Sequence, residues 1–542
     1  MLRFFFLMTL CYNDKRLKGR DVVSNLTRRE FIKAASVAAL AMAVPVDVFA
    51  ANDCKVKTRY GTFNGFVDER GVKTWLGIPF AQPPVGKLRW QAPQPLKPSN
   101  KTFDAKKLSA SPMQADMKLD KPLLDDDDVR QGEDCLTLNI FTRGDGKNKP
   151  VMVWIYGGAF VGGYSSEELY SGPNFVSAQD VVLVFLNYRL NVFGFMNFAS
   201  IDSAYEDSGY LGTKDQLAAI KWVKENISAF GGNPYNITIF GESAGSISTM
   251  LLTVIPEAKG LFQKVIPQSG CLDFYNEPEY SAQTAEKFMA FSGAKTVGDL
   301  MKKSAVELQQ LYAKYLLTSD GPNLAEFAPT ADGKFLPRDP FKALKDGGAR
   351  GIKFLTGTTA DEWRAFLLGD ENFFKIFRRA PEKISPVLRR YKAQTTEEVY
   401  KKWLNGRPDT EDNFADFVNQ VDWRVGQELS SEYQSQFADV YFYLFSEEAP
   451  FEHLRSCHAL DLPYTFNVSF EEFTPNQNLV RVIQASWAAF AATGNPDNEF
   501  IPHWEKYSAG NRQTMELNSK GCVCHKNLNT QNLNALRYVY ES

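Results

Sequence analysis

The stretch Tyr235-Asn236-Ile237-Thr238-Ile239-Phe240-Gly241-Glu242-Ser243-Ala244-Gly245-Ser246 decides the fold. An apolar, β-branched run enters a Gly-x-Ser-x-Gly pentapeptide, and a helix-compatible stretch, Ile247 to Leu252, leaves it. Strand, sharp turn and helix in that order are the context of a nucleophile elbow. The turn is strained, so its flanks must be small. Gly241 and Gly245 let backbone and helix approach closely, and Ser243 is left on the tip, open to a base and a substrate. The pentapeptide alone arises by chance in many chains; its agreement with both flanks gives it weight.

Working outward, Val151 to Tyr156 and Val181 to Asn187 are short continuous apolar runs rich in β-branched and aromatic residues. Such runs read as strands buried on both faces of a parallel sheet. Gln216 to Phe230 carries helical periodicity through Leu217, Ile220, Val223 and Ile227, and Gly231-Gly232-Asn233-Pro234 stops it. Strands alternating with helices indicate an α/β fold with a mostly parallel sheet flanked by helices. Closer to the N-terminus, Thr58 to Phe66 alternates like a strand, and the proline-rich run Ile78 to Gly86 must be loop. Residues from about 277 to 311 and from 362 to 447 are helix-rich and charged, and read as helical excursions over the carboxyl edge of the sheet. No repeat or low-complexity linker divides the body, so residues 51–542 are expected to form one catalytic domain.

The chain has 542 residues, 44% of them hydrophobic and 23% charged, which is ordinary globular composition. A formal net charge of -3 implies no basic face and argues against nucleic acid as a partner. The aromatic content of 13% suits a large core. Only four histidines occur, His453, His458, His503 and His525, so an imidazole base for Ser243 must be one of them, and a histidine-rich metal site is disfavoured. Cys522-Val523-Cys524-His525 lacks a second half-site, and the acidic run Asp125 to Asp128 reads as a solvated loop. No metal or other cofactor is expected.

The N-terminal region reads as an address. Thr27-Arg28-Arg29-Glu30-Phe31-Ile32-Lys33 carries paired arginines, Ala34 to Val46 is apolar and too short to span a membrane, and Val48-Phe49-Ala50 ends on a small-residue cleavage pattern. This order resembles bacterial twin-arginine (Tat) signal peptides. The resemblance implies export of the folded protein by the Tat machinery via residues 27–50, cleavage near Ala50, a periplasmic or secreted location and no stable membrane anchor afterwards. Residues before about Leu26 add nothing to that address, and Leu10-Cys11 lacks the small residue that precedes a lipidated cysteine. Six cysteines follow the signal at irregular spacings that fix no disulfide connectivity. Oligomeric state is not legible.

A serine hydroxyl is a weak nucleophile at neutral pH. It needs a base, a group that orients the base, and donors for the oxyanion that forms. Tyr156-Gly157-Gly158-Ala159-Phe160 follows a buried strand and can present backbone N–H groups, and Ala244, the residue after the serine, can supply another.

Together with the serine motif, a series of segments resembles the type-B carboxylesterases, the group that includes bacterial p-nitrobenzyl esterases and cholinesterases. These are Gly77-Ile78-Pro79-Phe80-Ala81, Leu88-Arg89-Trp90, Glu133-Asp134-Cys135-Leu136-Thr137-Leu138-Asn139, Asn187-Tyr188-Arg189, Asp215-Gln216, Gln268-Ser269-Gly270 and Trp487 to Pro496. The resemblance covers nearly the whole body and implies an α/β-hydrolase fold and a serine carboxylesterase acting on a small-molecule ester through an acyl-enzyme. It implies Ser243 as nucleophile, Glu362 (in Gly357 to Glu362) as acid, and His458 (in His458-Ala459-Leu460-Asp461-Leu462-Pro463-Tyr464) as base. It implies Gly158, Ala159 and Ala244 as oxyanion-hole donors, with Ala159 replacing a glycine of many relatives. Arg89 with Glu133, and Arg189 with Asp215, match structural ion pairs. Cys135 matches a cysteine often paired upstream, yet Ser109 to Gln114 holds no partner for it. His453 and Asp361 stand as alternatives to His458 and Glu362, and an amidase, a lipase or a non-catalytic binding protein as alternatives to the esterase. With His458 as base, activity is expected to rise with pH across ~6–7.5.

Overall fold

A computed structural model describes residues 52–115, 130–318, 326–367, 393–451, 453–470 and 473–541, with 375, 378–379, 381 and 385–391. The expected export signal at 27–50 and the acidic run at 125–128 lie outside the described residues.

The body is built on one sheet of thirteen strands among the described residues. In chain order these are β1 (Asn52–Thr58), β2 (Gly61–Val67), β3 (Val72–Pro79), β4 (Thr102–Asp104), β5 (Thr137–Arg143), β6 (Lys149–Ile155) and β7 (Val182–Leu186). They continue as β8 (Gly232–Glu242), β9 (Lys264–Gln268), β10 (Lys353–Thr359), β11 (Val440–Phe445), β12 (Gln513–Leu517) and β13 (Val523–Lys526). Their spatial order is β1-β2-β3-β5-β7-β6-β8-β9-β10-β11-β12-β13, with β4 paired to β2. Every pairing from β7 through β6 and on to β12 is parallel, while β1, β2, β3, β5 and β13 run antiparallel to their neighbours on that path.

The parallel centre explains the apolar runs of the sequence. Val151 to Ile155 of β6 and every residue of β7 are buried, because helices cover the strands. Helix Leu211–Asn226 packs on β8, helix Ala244–Val254 on β8 and β9, and helix Gln477–Thr493 on β6 and β8. The helix that begins at Leu211 ends in a 3₁₀ turn, Ile227–Phe230, closed by Gly231 at φ 89°, so the glycine supplies the left-handed cap that starts β8.

Two helical regions follow the sheet order. Pro278–Ser292 and Ala305–Thr318 form the first, and Glu411–Asn419 and Val425–Gln434 dominate the second. Residues 440–445 correct the sequence reading, which placed them in the second helical excursion. Val440-Tyr441-Phe442-Tyr443-Leu444-Phe445 is a β-branched and aromatic run that pairs in parallel with β10 and β12. Its charged, helical neighbours hid it.

Both expected ion pairs are present. Arg89 donates from Nε and Nη2 to Glu133 at 2.5 and 2.6 Å, and from Nη1 to the Lys303 carbonyl at 2.7 Å. Arg189 donates from Nε and Nη2 to Asp215 at 2.8 and 2.7 Å, and its backbone N–H reaches the same carboxylate at 3.0 Å. Asp215 is fully buried; burial pushes its carboxyl pKa up and Arg189 opposes that shift. Asp215→Ala strands the guanidinium in the interior, and is expected to cost about 3–5 kcal/mol. Urea unfolding should show a lower midpoint; an unchanged midpoint would contradict the pair's structural role.

Candidate active site

β8 delivers Ser243 to the carboxyl edge of the sheet. The serine sits at φ 57°, ψ -124°, a left-handed conformation that a non-glycine residue adopts only under strain. Its N–H donates to the Gln268 carbonyl at 3.0 Å, and its carbonyl accepts from Ile247 at 2.9 Å, so strand and helix hold the turn from both sides. The flanking glycines are required by contact. A Cβ on Gly245 would lie 1.9 Å from the Ile155 carbonyl oxygen, and one on Gly241 would lie 2.5 Å from the same atom.

The loop after β6 approaches the elbow from the neighbouring strand. Gly158 has φ 105°, where a Cβ would fall 2.2 Å from the Gly162 carbonyl oxygen. Ala159 and Phe160 follow at φ 54° and 61°. The alanine tolerates this conformation at a cost of about 1–2 kcal/mol. The Gly158 carbonyl turns away to accept from Val161 and Gly162 at 3.0 and 3.1 Å. Ala244 is the first residue of helix Ala244–Val254, where a backbone N–H has no intrahelical acceptor. The three expected donors therefore come from a left-handed loop and a helix N-terminus, and none has a hydrogen-bond acceptor among the described residues.

Glu362 lies three residues beyond β10, and His458 on the loop after β11. The carboxylate Oε2 of Glu362 meets His458 Nδ1 at 2.5 Å, and its Oε1 accepts from the Thr359 N–H at 2.8 Å. The Glu362 carbonyl also accepts from the His458 N–H at 3.3 Å, and the Asp361 N–H donates to Ser456 at 2.9 Å, so the two loops are tied through their backbones. Both side chains are 1% exposed. Burial lowers the His458 pKa from 6.5, and Glu362 opposes that shift. The rings of Trp423 and Phe366 pack on the imidazole at 4.6 and 5.3 Å between centroids. The sequence alternatives fall elsewhere: His453 is exposed, and Asp361 pairs with Arg364 at 3.1 Å.

Sequence reasoning missed two further acids. Glu242, adjoining the serine, is fully buried, and its Oε1 comes within 3.0 Å of His458 Nε2 without hydrogen-bond alignment. Burial, then Asp461 and Glu362, push its carboxyl well above the usual range, which favours the protonated form. Asp461 accepts from Gln268 Nε2 at 2.8 Å and from the Tyr443 hydroxyl at 3.4 Å, and burial raises its pKa to about 7. The available signal was a carboxyl in an otherwise apolar strand end, and a second acid three residues past the histidine. Cys135 is buried and free, like Cys271 and Cys457, while Cys54, Cys522 and Cys524 are half-buried; none forms a disulfide among the described residues. His525 pairs with Glu516 at 2.8 Å.

Comparison with known proteins bears on this geometry directly. The model of the carboxylesterase family matches residues 52–536. The chain belongs to the carboxylesterase family. It is 37% identical over 482 residues to the para-nitrobenzyl esterase of Bacillus subtilis (strain 168), covering 86% of this chain and 95% of that protein. It is 31% identical over 491 residues to the cocaine esterase of Homo sapiens, covering 84% and 85%. A solved PNB esterase superposes with a TM-score of 0.79 at 34% identity over 89% of this chain and 99% of that one. A Geobacillus stearothermophilus carboxylesterase gives 0.78 at 32% identity with the same coverage. The α/β-hydrolase fold and membership among carboxylic ester hydrolases follow.

Proposed function

We propose that Ser243, His458 and Glu362 form the catalytic triad of this carboxylesterase. The observation that carries the reading is the buried 2.5 Å contact between Glu362 and His458 Nδ1, together with a serine held in strained backbone whose neighbour Glu242 reaches within 3.0 Å of His458 Nε2. With Nδ1–H given to Glu362, Nε2 carries the lone pair. Ser243 Oγ attacks the ester carbonyl as Nε2 takes its proton, and the oxyanion accepts from the N–H groups of Gly158, Ala159 and Ala244. Collapse expels the alcohol, which takes the proton from Nε2. Water then repeats the sequence on the acyl-enzyme and frees the acid. Turnover of p-nitrophenyl acetate and butyrate tests the reaction, and a folded protein inert toward all small esters would contradict it.

The pH dependence sharpens the sequence expectation. His458 must be neutral to act as base, so kcat/KM rises as the imidazole loses its proton. Burial lowers that pKa from 6.5, which moves the acid limb to lower pH than an ordinary histidine would give. Steady-state rates from pH 4.5 to 8.5 should be half-maximal below pH 6.5. A limb centred above pH 7 would contradict His458 as the buried base.

We further propose export by the twin-arginine route, supported by Arg28-Arg29, the apolar run to Val46 and the Val48-Phe49-Ala50 cleavage pattern. Expressed in a Tat-competent bacterium, the chain should appear outside the cytoplasm, shortened to about Ala51. Arg28→Lys with Arg29→Lys should leave it unprocessed inside. Equal processing of both forms would overturn the route.

A further inference from the structure

The second helical region changes character beside the triad. Between helices Glu411–Asn419 and Val425–Gln434, residues Gln420–Arg424 form a π-helical turn, and all five are buried. Such wide turns are less well packed than α-helix and concentrate at functional sites. This one touches both loops of the triad. Asn419, 5% exposed, accepts on Oδ1 from the Trp363 N–H at 2.7 Å and donates from Nδ2 to the Ala360 carbonyl at 3.4 Å. Those two backbone groups bracket Glu362 on its loop. Four residues on, the Trp423 ring lies 4.6 Å from the imidazole of His458 and 6.4 Å from the ring of Trp363.

We infer that Asn419 is a positioning residue for the triad acid, its amide clamping the loop 360–363 from the last residue of helix Glu411–Asn419, directly before the π-helical turn that carries the ring packed on His458. The inference rests on the reading of Glu362 as that acid. Thr359 and His458 hold Glu362 from the sheet and the base loop, and Trp363 directs its N–H to Asn419. A planar amide, accepting on its oxygen and donating from its NH₂, meets both backbone groups at once. Without it, the Trp363 N–H and the Ala360 carbonyl lose this partner and the loop loses two of the ties that fix Glu362, and a small displacement of a group that orients a base is enough to slow proton transfer.

A double-mutant cycle on p-nitrophenyl butyrate turnover tests this. Asn419→Leu, which keeps the branched shape without the polar atoms, should lower kcat by about 10–100-fold with KM within about twofold. In a Glu362→Gln background the same substitution should cost less than about threefold, because the group it positions is already disabled. Equal loss in both backgrounds, or no loss in a folded Asn419→Leu protein, would overturn the inference while leaving the triad intact. A Glu362→Gln protein with undiminished kcat would instead overturn the triad reading, and this inference with it. Where Asn419→Leu does not fold, Asn419→Ala runs the same cycle and is judged by the same two outcomes.

Discussion

Ser243→Ala is expected to lower kcat for p-nitrophenyl butyrate by about 10⁶-fold. The hydroxyl is the only atom removed, so the reaction loses its nucleophile while the oxyanion donors and the binding surface stay. A residual rate about 10³–10⁴-fold above water is expected from those donors. The elbow should survive, because alanine meets the same backbone demand at φ 57° and the Ser243 N–H still donates to Gln268. Thermal unfolding should therefore match the parent within a few degrees. A loss smaller than tenfold in a folded variant would remove Ser243 from the chemistry.

Glu362→Gln is expected to lower kcat by about 10⁴-fold while KM changes little. The direction follows from the two partners of the carboxylate. Thr359 presents an N–H to Oε1 at 2.8 Å, so a glutamine must turn its carbonyl oxygen toward Thr359. Its NH₂ then faces His458 Nδ1, where Oε2 stands at 2.5 Å in the native site. Nδ1 becomes an acceptor and the ring proton moves to Nε2. That nitrogen then has no lone pair with which to take the serine proton. Steady-state kinetics beside a thermal melt checks the expectation; a loss below tenfold would show that Glu362 does not set the tautomer.

The parts of this molecule fixed by local chemistry were legible in the sequence. The elbow announced itself because only glycine fits against Ile155, and β6, β7 and β8 did so because both of their faces are apolar. The strand Val440–Phe445 was not separated from the charged helices before it, since a short apolar run carries no periodicity that distinguishes strand from buried helix. Glu242 and Asp461 were passed over for a related reason. Their meaning depends on burial and on neighbours brought from β9, β10 and β11, none of which is local in sequence. The same holds for His458: its residue type gave the ordinary titration range, and burial beneath Trp423 and Phe366 moves it downward against the opposing pull of Glu362. Asn419 lies in a helical stretch whose π-turn no pattern of apolar residues marks.

The most direct test is covalent labelling with a fluorophosphonate, followed by peptide mass mapping. An activated serine reacts with this probe whatever ester the pocket prefers. One adduct is expected, on the peptide that contains Ser243, absent in Ser243→Ala and formed far more slowly in Glu362→Gln. A folded protein that stays unlabelled, or that carries the adduct on another serine, would contradict it.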